Sequence, residues 1–537
     1  MRQERQKRVV GELRNRVRGL LVGAALGDAF GLSCEFLSKA EAVMAYGRNG
    51  PIAFGAAYGA AFVRDRHRRR WQEGDFTDDT DQQLLLVHSL LATVSRNVVS
   101  SRVSENNMSD NVSDNMSDSK IKNSTIIKDS FNTNSTKSNN KELVLDAVDF
   151  AGRLKSWSRV GFVPLAKPPN GIGATISHVL RHRDFDAHPH EAAFSVWQAT
   201  NFRLAANGAV MRCAILGAPY FWHQETVVRN AVVSASVTHA DPRCLVSCAI
   251  VCTIVSRILR ANLNLDDYNS AEPLLSAGST LFSNNSESSL EAATAVEAGL
   301  SSSCSSFSDE SVVSARASLE SGSNRDSAEI SVTTYNSYLE KLGGQNPLCA
   351  ALICDATLEN AYILDVYKIP EIPAIASTTE ATSGGKSAAK TSTSGHKATT
   401  TPPATPKQDF ITDLDILKAF VSAESLGSLM LDEFDAIGYT YKCLGAALFC
   451  FSRNLSPKLL THSEQESMQR HNNDYKGELF KRIITELTLE AGDSDTNAAV
   501  AGALLGVRIG YDSLPKDWLQ GLRHHEYLVQ QVDALCD

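Results

Sequence analysis

The sequence predicts an all-α protein with long disordered inserts. Three observations lead to this fold class: apolar residues recur at helical spacing, no stretch shows the alternation of a strand, and glycines recur every four residues near both ends of the chain. Several polar stretches cannot bury enough apolar area to offset the entropy lost on ordering. We therefore expect one helical core with disordered segments between its helices.

Two series of glycines suggest a close contact between helices. They are Gly19, Gly23 and Gly27 in the first helix and Gly502, Gly506 and Gly510 in the last apolar run. Each glycine weakens a helix by up to about 1 kcal/mol relative to alanine, so three in register need a compensating reason. We expect the two helices to cross closely and to bring Asp28 and Glu35 near the acidic residues described next. Flexible or tightly packed helix ends are the alternative.

Two short acidic stretches, Gly74 to Asp81 and Gly492 to Thr496, supply candidate metal ligands. These are Thr77, Asp78, Asp79, Asp493, Asp495 and Thr496. The first three are consecutive and can converge only from a turn, whereas Asp493 and Asp495 alternate as on an extended strand that leads to a helix start. Oxygen ligands without nearby Cys or His suit Mg²⁺, Mn²⁺ or Ca²⁺. Four carboxylates exceed the need of one ion, so the sequence predicts a two-metal site.

Helix capping is the alternative for both acidic stretches, because aspartates at helix N-termini are common. Both stretches, however, lie between a glycine-containing turn and an apolar, helix-compatible run. Two such constellations in one chain favour metal binding.

Composition limits the partners of the protein. The formal net charge is −9, and basic residues cluster only in the N-terminal tail and in the run from Arg64 to Arg70, which is typical of a solvated loop. We therefore expect no nucleic-acid or membrane binding. The longest uncharged apolar run, Cys244 to Ser256, is too short to span a bilayer. Eleven cysteines without CxxC pairs indicate buried thiols in a reducing compartment.

The chain reads as one domain from about residue 12 to 537. Low-complexity inserts are predicted at about 100–142, 262–338, 372–407 and 455–474. Between the inserts, Leu348 to Val366 and Ile437 to Phe451 read as buried helices.

Two weaker signals lie in the middle of the chain. Asn207 and Gly208 precede a helical run and present backbone N–H groups suited to phosphate oxygens, although Asn-Gly turns are common. His239 precedes the next helix, where a satisfied capping histidine is the ordinary expectation.

Five motifs in order resemble the ADP-ribosylglycohydrolase family, which includes the dinitrogenase reductase-activating glycohydrolases. They are Gly23-x3-Gly-Asp-Ala-x-Gly-x3-Glu35, Thr77-Asp-Asp-Thr-Asp81, Asn207-Gly-x2-Met-Arg212, Thr238-His-x-Asp-Pro242 and Gly492-Asp-Ser-Asp-Thr496. The resemblance implies a compact, orthogonal multi-helix domain that holds two divalent cations. Mg²⁺ is the expected metal, and Mn²⁺ is the alternative. Its activity would be hydrolysis of the glycosidic bond at the distal ribose of ADP-ribose.

The resemblance also assigns roles to residues of this chain. The six candidate ligands named above would hold the metals, and the substrate would contact Glu35, Asn207, Gly208, Met211, Arg212 and His239. Glu35, Asp78 or Asp79 would act in catalysis, and the choice of general acid or base stays open. Two departures from the family pattern are Ala491, where a glycine is frequent, and Gln82, where a methionine is frequent.

The expected partner is an ADP-ribosylated protein or a small ADP-ribose conjugate. We expect a monomer in the cytoplasm, with the nucleus and the mitochondrion left open. One alternative is a catalytically weak protein that only binds ADP-ribose, and another is a two-metal hydrolase acting on phosphate esters.

Overall fold

The computed structural model describes residues 2–50, 63–106, 145–261, 345–367 and 413–537. Within these ranges the chain forms helices and no β-strand, apart from isolated bridges such as that between Ala206 and Tyr439. The α-helices are α1 Arg2–Gly31, α2 Lys39–Tyr46, α3 Asp78–Asn106, α4 Ala147–Val160, α5 Ala174–Leu180, α6 Pro189–Ala199, α7 Val210–Cys213, α8 Gln224–Ser236, α9 Pro242–Ala261, α10 Pro347–Asn360, α11 Tyr362–Val366, α12 Asp413–Val421, α13 Thr440–Phe451, α14 His462–His471, α15 Tyr475–Thr488, α16 Ser494–Ile509, α17 Lys516–Gly521 and α18 His525–Cys536. The predicted all-α fold is confirmed.

The contact between α1 and α16 places backbone directly against backbone. A β-carbon on Gly27 would lie 1.9 Å from the carbonyl oxygen of Ala498, and one on Gly23 would lie 2.4 Å from that of Gly502. Only glycine allows helices to approach this closely. The predicted crossing is therefore confirmed. Gly510 differs from the prediction, because it ends α16 with a φ of 79°.

Buried apolar side chains from Leu13 to Cys536 belong to one connected cluster. The cluster draws on nearly every helix, including the predicted buried helices α10 and α13. This single core supports the proposal of one domain across the chain.

Helix α9 lies inside this core. Cys244, Cys248 and Cys252, spaced by four along one face of α9, are fully buried, in agreement with the predicted buried thiols. Two stretches, Pro242–Arg260 and Pro347–Val366, are long and apolar enough to cross a membrane by length and composition alone. In the protein, 89% of the apolar window of the first stretch is buried, and 56% of that of the second. The burial of Pro242–Arg260 is the pattern of a core helix.

Most of the predicted inserts lie outside the described residues. This holds for 262–338, for 372–407 and for 107–142 of the first insert. Residues 100–106, which we also assigned to the first insert, continue α3.

The fourth predicted insert, 455–474, instead contains a 3₁₀ turn and helix α14. The N–H of Glu464 donates to the hydroxyl oxygen of Thr461 at 3.3 Å, and the N–H of Thr461 donates to the Glu464 carboxylate at 2.7 Å. Arg482 of α15 also reaches this carboxylate, at 3.3 Å. A capping box and a contact to the next helix thus stabilise a polar segment that lacks a large apolar face.

Candidate metal centre and active site

The first acidic stretch is the N-terminus of α3, which begins at Asp78 rather than after an open turn. Asp28 of α1 caps this helix: its Oδ1 accepts from the N–H of Thr77 at 2.9 Å, and its Oδ2 accepts from the N–H and hydroxyl of Thr80 at 3.0 and 2.6 Å. Because Asp28 already satisfies these donors, Asp78 and Asp79 are not required as caps.

The second acidic stretch is the N-terminus of α16, so the extended conformation that we expected there is wrong. Asp493 precedes the helix, and Asp495 and Thr496 lie in its first turn. The Asp493 side chain makes no capping hydrogen bond, and its Oδ2 instead accepts from Nδ2 of Asn207 at 2.8 Å. Capping is therefore not the role of this carboxylate either.

Two backbone hydrogen bonds tie the turn before Asp493 to the loop that carries Glu35. The N–H of Gly492 donates to the carbonyl oxygen of Leu37 at 3.0 Å, and the N–H of Phe36 donates to the carbonyl oxygen of Gly492 at 2.7 Å. Gly492 has a φ of 66°, a left-handed conformation that glycine adopts without strain. This pairing places Glu35 beside the second acidic stretch.

The helix contact and these loops bring the carboxylates together. One oxygen from each of Asp28, Asp79 and Asp495 lies within 4.8 Å of the others, and the same holds for Glu35, Asp493 and Asp495. Asp495 belongs to both groups and therefore joins them. The two stretches, more than 400 residues apart in sequence, form one acidic centre.

Burial makes this centre costly without a counter-charge. Desolvation, followed by repulsion from neighbouring carboxylates, raises the pKa values of Asp78, Asp79 and Asp495 well above their ordinary range. Desolvation is also the main reason that the pKa values of Asp28 and Asp493 rise to about 6. Within the described part of the chain, Oδ1 of Asp79 is buried without a hydrogen-bond partner. Such an oxygen-rich, partly unsatisfied set of donors fits hard divalent cations.

Asp78 belongs to neither group of converging oxygens, and it contacts two residues that the sequence analysis did not assign to the site. Its Oδ2 accepts from Nε2 of Gln82 at 2.8 Å. Its Oδ1 would lie 2.1 Å from a β-carbon on Gly171, whose φ is 92°. Only glycine fits there. The run Gly171-Ile-Gly173 after two prolines was the available signal for a backbone wall at this position.

The two departures from the family pattern have distinct settings. Gln82 joins the acidic centre to the interior, because its Oε1 also accepts from Nη1 of Arg212 at 2.9 Å. Ala491 adopts a φ of 61°, where a side chain is strained and a glycine would not be. The turn that aims Asp493 therefore carries backbone strain.

Met211 and Arg212, two of the predicted substrate-binding residues, are both buried. The guanidinium of Arg212 is fully buried and donates to the carbonyl oxygen of Gly208 at 3.0 Å and to Oγ1 of Thr238 at 2.7 Å. Met211 belongs to the hydrophobic core. Arg212 therefore supports the backbone of Gly208, and Met211 contributes to the core.

His239 is neutral and has one unused nitrogen. Oγ1 of Thr238 accepts from Arg212 and lies 2.7 Å from Nδ1 of His239, so this ring nitrogen is hydrogen-bonded. The other ring nitrogen, Nε2, is buried and has no partner among the described residues. Burial, followed by repulsion from Arg212, lowers the pKa of His239 to about 3. A β-carbon on Gly208 would lie 3.2 Å from this Nε2.

Lys167 stabilises the first acidic stretch through two hydrogen bonds, a role that the sequence did not reveal. Its Nζ donates to the carbonyl oxygen of Phe76 at 2.7 Å and to Oδ1 of Asp81 at 3.0 Å. Nε1 of Trp157 donates to the second oxygen of Asp81 at 3.1 Å. These bonds fix the backbone just before Thr77.

The run from Arg64 to Arg70 is not a simple solvated loop, as the sequence suggested. Arg68 is 1% exposed, and its guanidinium donates to the carbonyl oxygens of Leu32, Ser33 and Glu35. A charge that replaces its water shell with several carbonyl acceptors can be buried. Arg68 thus holds the loop that presents Glu35, which is itself 6% exposed.

Comparison with known proteins supports one family. The family model for ADP-ribosylglycohydrolase matches residues 10–360 and 348–537. A solved structure described as an ADP-ribosylglycohydrolase-related protein complex shares 14% identity over 98% of both chains, with a TM-score of 0.41, which adds nothing to the family match. Curated proteins gave no match. Because the family match extends over nearly the whole sequence, the chain belongs to the ADP-ribosylglycohydrolase family.

Proposed function

We propose that this protein is a metal-dependent hydrolase that cleaves the glycosidic bond between the distal ribose of ADP-ribose and an acceptor. The observation that carries the proposal is the meeting of both acidic stretches and Glu35 in one buried centre. Family membership supplies the class of reaction. Cleavage of a ribosyl bond passes through an oxocarbenium-like state, which nearby carboxylates stabilise.

Two divalent cations are proposed as cofactors, with Mg²⁺ as the preferred metal and Mn²⁺ as the alternative. Thr77, Asp78, Asp79, Asp493, Asp495 and Thr496 are the proposed ligands. Bound cations would orient the ribose hydroxyls and lower the pKa of a water molecule. The carboxylates need this compensation, because their pKa values are raised by burial and by mutual repulsion.

Glu35 is the proposed general acid or base. It lies on a loop after α1 and reaches Asp493 and Asp495 without belonging to either acidic stretch. A carboxylate placed in this way can exchange a proton with the reacting atoms while the aspartates hold the cations. Asp78 and Asp79 remain the alternatives for this role.

The substrate is proposed to lie between the acidic centre and the wall formed by Asn207, Gly208 and His239. Nε2 of His239 has no partner among the described residues and can form a hydrogen bond with a ligand that passes Gly208. Asn207 contacts Asp493 directly and so connects this wall to the acidic centre.

The proposed partner is an ADP-ribosylated protein or a small ADP-ribose conjugate, bound by a monomer without nucleic acid or membrane. We propose that the protein is located in a reducing compartment, with the cytoplasm as the preferred one. The free thiols of the described residues support this proposal.

The deciding experiment is release of ADP-ribose from a panel of acceptors joined through arginine, serine or an O-acetyl group. We expect release with Mg²⁺ from at least one member of the panel and loss of release after chelation. Asp79→Asn tests the centre, and Asp512→Asn, at an exposed position, is the matched control. Binding of ADP-ribose without release from any acceptor would identify a binding protein instead, and full activity after chelation would refute the metal dependence.

A further inference from the structure

The carboxylate of Glu35 has a side-chain partner from the arginine-rich segment. Nε2 of His67 lies 2.5 Å from Oε2 of Glu35. Both are largely buried: the side chain of His67 is 17% exposed, and the side chain of Glu35 alone is 8% exposed. Glu35 therefore contacts His67 on the arginine-rich segment as well as lying within 4.8 Å of Asp493 and Asp495.

The segment that carries His67 is firmly attached to the Glu35 loop. Oδ1 of Asp65 accepts from the N–H groups of His67 and Arg68 at 3.0 and 2.7 Å. The hydroxyl of Tyr46 accepts from the N–H of Val63 at 3.1 Å and donates to the carbonyl oxygen of Ser33 at 3.0 Å. The backbone before His67 and the backbone at His67 and Arg68 are therefore both held by hydrogen bonds, which fixes the position of the imidazole.

Arg70 determines which nitrogen of His67 carries the proton. Nη2 of Arg70 contacts Nδ1 of His67, and Nε of Arg70 donates to the carbonyl oxygen of His67 at 3.1 Å. A guanidinium has only donors, so Nδ1 must accept. The proton of the neutral ring then lies on Nε2, from which it is donated to Glu35.

The ring is also held by packing. Its centroid lies 4.9 Å from that of Phe36 and 5.0 Å from that of Trp71, and the guanidinium of Arg70 lies 4.6 Å from the centroid of Trp71. The imidazole therefore cannot turn away from Glu35 without displacing two aromatic neighbours.

We propose that His67 is a positioning residue for Glu35: held by Arg70 with its proton on Nε2, it fixes the orientation of the carboxylate that takes part in glycosidic-bond cleavage. The inference rests on the proposed function. A carboxylate held at one oxygen points in one direction, and a rotation of Glu35 would separate it from the reacting atoms.

Three variants test this role. His67→Phe keeps the ring between Phe36 and Trp71 but removes the donor, whereas His67→Gln supplies an amide donor without the ring. Arg69→Met is the matched control, because Arg69 is an exposed cation in the same turn. We expect His67→Phe to lower kcat by about 10- to 100-fold, the scale found for groups that orient a reacting ligand, while KM and Mg²⁺ binding stay within about twofold. His67→Gln should recover most of the loss.

A double-variant cycle separates positioning from a general loss of structure. On a Glu35→Gln background, His67→Phe should lower the rate by less than about twofold, because its effect passes through the carboxylate. A full further loss on that background, or a His67→Phe rate within about threefold of the parent, would overturn the proposal.

A second measurement does not depend on catalysis. The ¹⁵N NMR spectrum of histidine-labelled protein, assigned by comparison with His67→Gln, should show His67 protonated at Nε2, and Arg70→Met should allow the Nδ1–H form. A parent protein with its proton on Nδ1 would refute the proposal whatever the turnover rates of the variants. Absence of ADP-ribose release by the parent would refute the proposed function, and the spectrum would still decide the geometry.

Discussion

The β-carbon that Gly502 lacks would lie 2.2 Å from the carbonyl oxygen of Gly23. This contact lies midway along the crossing of α1 and α16. Further along the same crossing, Gly31 lies against Ser494 and Asp495. The separation of the two helices therefore determines how closely the loop after α1 approaches the acidic residues of α16.

The first prediction concerns this crossing. Gly502→Ala should lower the free energy of unfolding by about 1 to 3 kcal/mol or more, because the added methyl group collides with backbone that cannot move aside. Gly152→Ala in α4 is the control, since nothing lies within 4 Å of its β-carbon position. The control should stabilise the protein by up to about 1 kcal/mol through helix propensity alone. Denaturant titration measures both changes, and equal effects of the two variants would contradict the account.

The second prediction concerns pH and metal removal. The folded pKa values of Asp28 and Asp493 are about 6, above the ordinary 3.8, and burial and repulsion also raise the pKa values of Asp78, Asp79 and Asp495 well above 3.8. The metal-free folded state therefore binds more protons than the unfolded chain, so these groups lose their stabilising effect as pH rises from about 4 through 6 and beyond. Mg²⁺ should remove this dependence, because it competes with protons for the same oxygens.

The measurement for this second prediction is the Tm in chelator and in Mg²⁺ across pH 5.5 to 8. Neutral buried histidines such as His239 act in the opposite direction below about pH 6.5. The comparison with Asp495→Asn isolates the carboxylates, since this variant should lose less stability than the parent as the pH of metal-free protein rises. Identical pH curves for Asp495→Asn and the parent would count against the centre.

The helical core and the two acidic stretches could be predicted from the sequence because their signals are local or periodic. Glycines every four residues report a helix face, and consecutive aspartates report a cluster of oxygens. The local conformation was harder to predict. We expected a turn at Thr77 to Asp79 because consecutive side chains diverge on a helix. Nothing near these residues in sequence shows that Asp28 caps α3 from a different helix.

The supporting contacts could not be predicted because they join distant parts of the chain. Arg68 and the carbonyl oxygens that it binds are more than 30 residues apart, and Lys167 and Asp81 are 86 residues apart. A run of arginines has the same composition whether it is solvated or buried, and only the fold supplies the acceptors. Sequence therefore located the reactive groups better than the residues that hold them.

The third prediction tests the support under the first acidic stretch. Lys167→Met should destabilise the protein by about 3 to 5 kcal/mol, because it leaves the buried carboxylate of Asp81 without its cation. Lys167→Met combined with Asp81→Asn should recover part of this loss, since the uncompensated charge is then absent. Lys418→Met in α12, at a half-buried side chain, is the control. A double variant as unstable as Lys167→Met alone, measured by denaturant titration, would contradict this explanation.

The fourth prediction concerns Glu35 in the chemical step. Glu35→Gln keeps the size of the side chain and an acceptor oxygen but removes its acid and base function. We expect kcat to fall by about 10² to 10⁴, the usual scale for loss of a general acid or base. Binding of ADP-ribose and Mg²⁺, measured by calorimetry, should change little, because the aspartates of α3 and α16 remain in place. Glu526→Gln, an exposed carboxylate in the first turn of α18, is the control and should leave kcat unchanged.

The two outcomes for Glu35→Gln have different physical meanings. A large fall in kcat with intact ligand binding means that Glu35 acts on the reacting atoms, since an oxygen ligand lost from a cation would weaken Mg²⁺ binding as well. If Mg²⁺ binding falls together with kcat, Glu35 belongs to the ligand set, as its distance within 4.8 Å of Asp493 and Asp495 allows. The proton transfer would then fall to Asp78, which lies beside Gly171 and outside both groups of converging oxygens. Asp78→Asn would be the next variant to measure, and a kcat within about threefold of the parent for Glu35→Gln would end the catalytic assignment of Glu35.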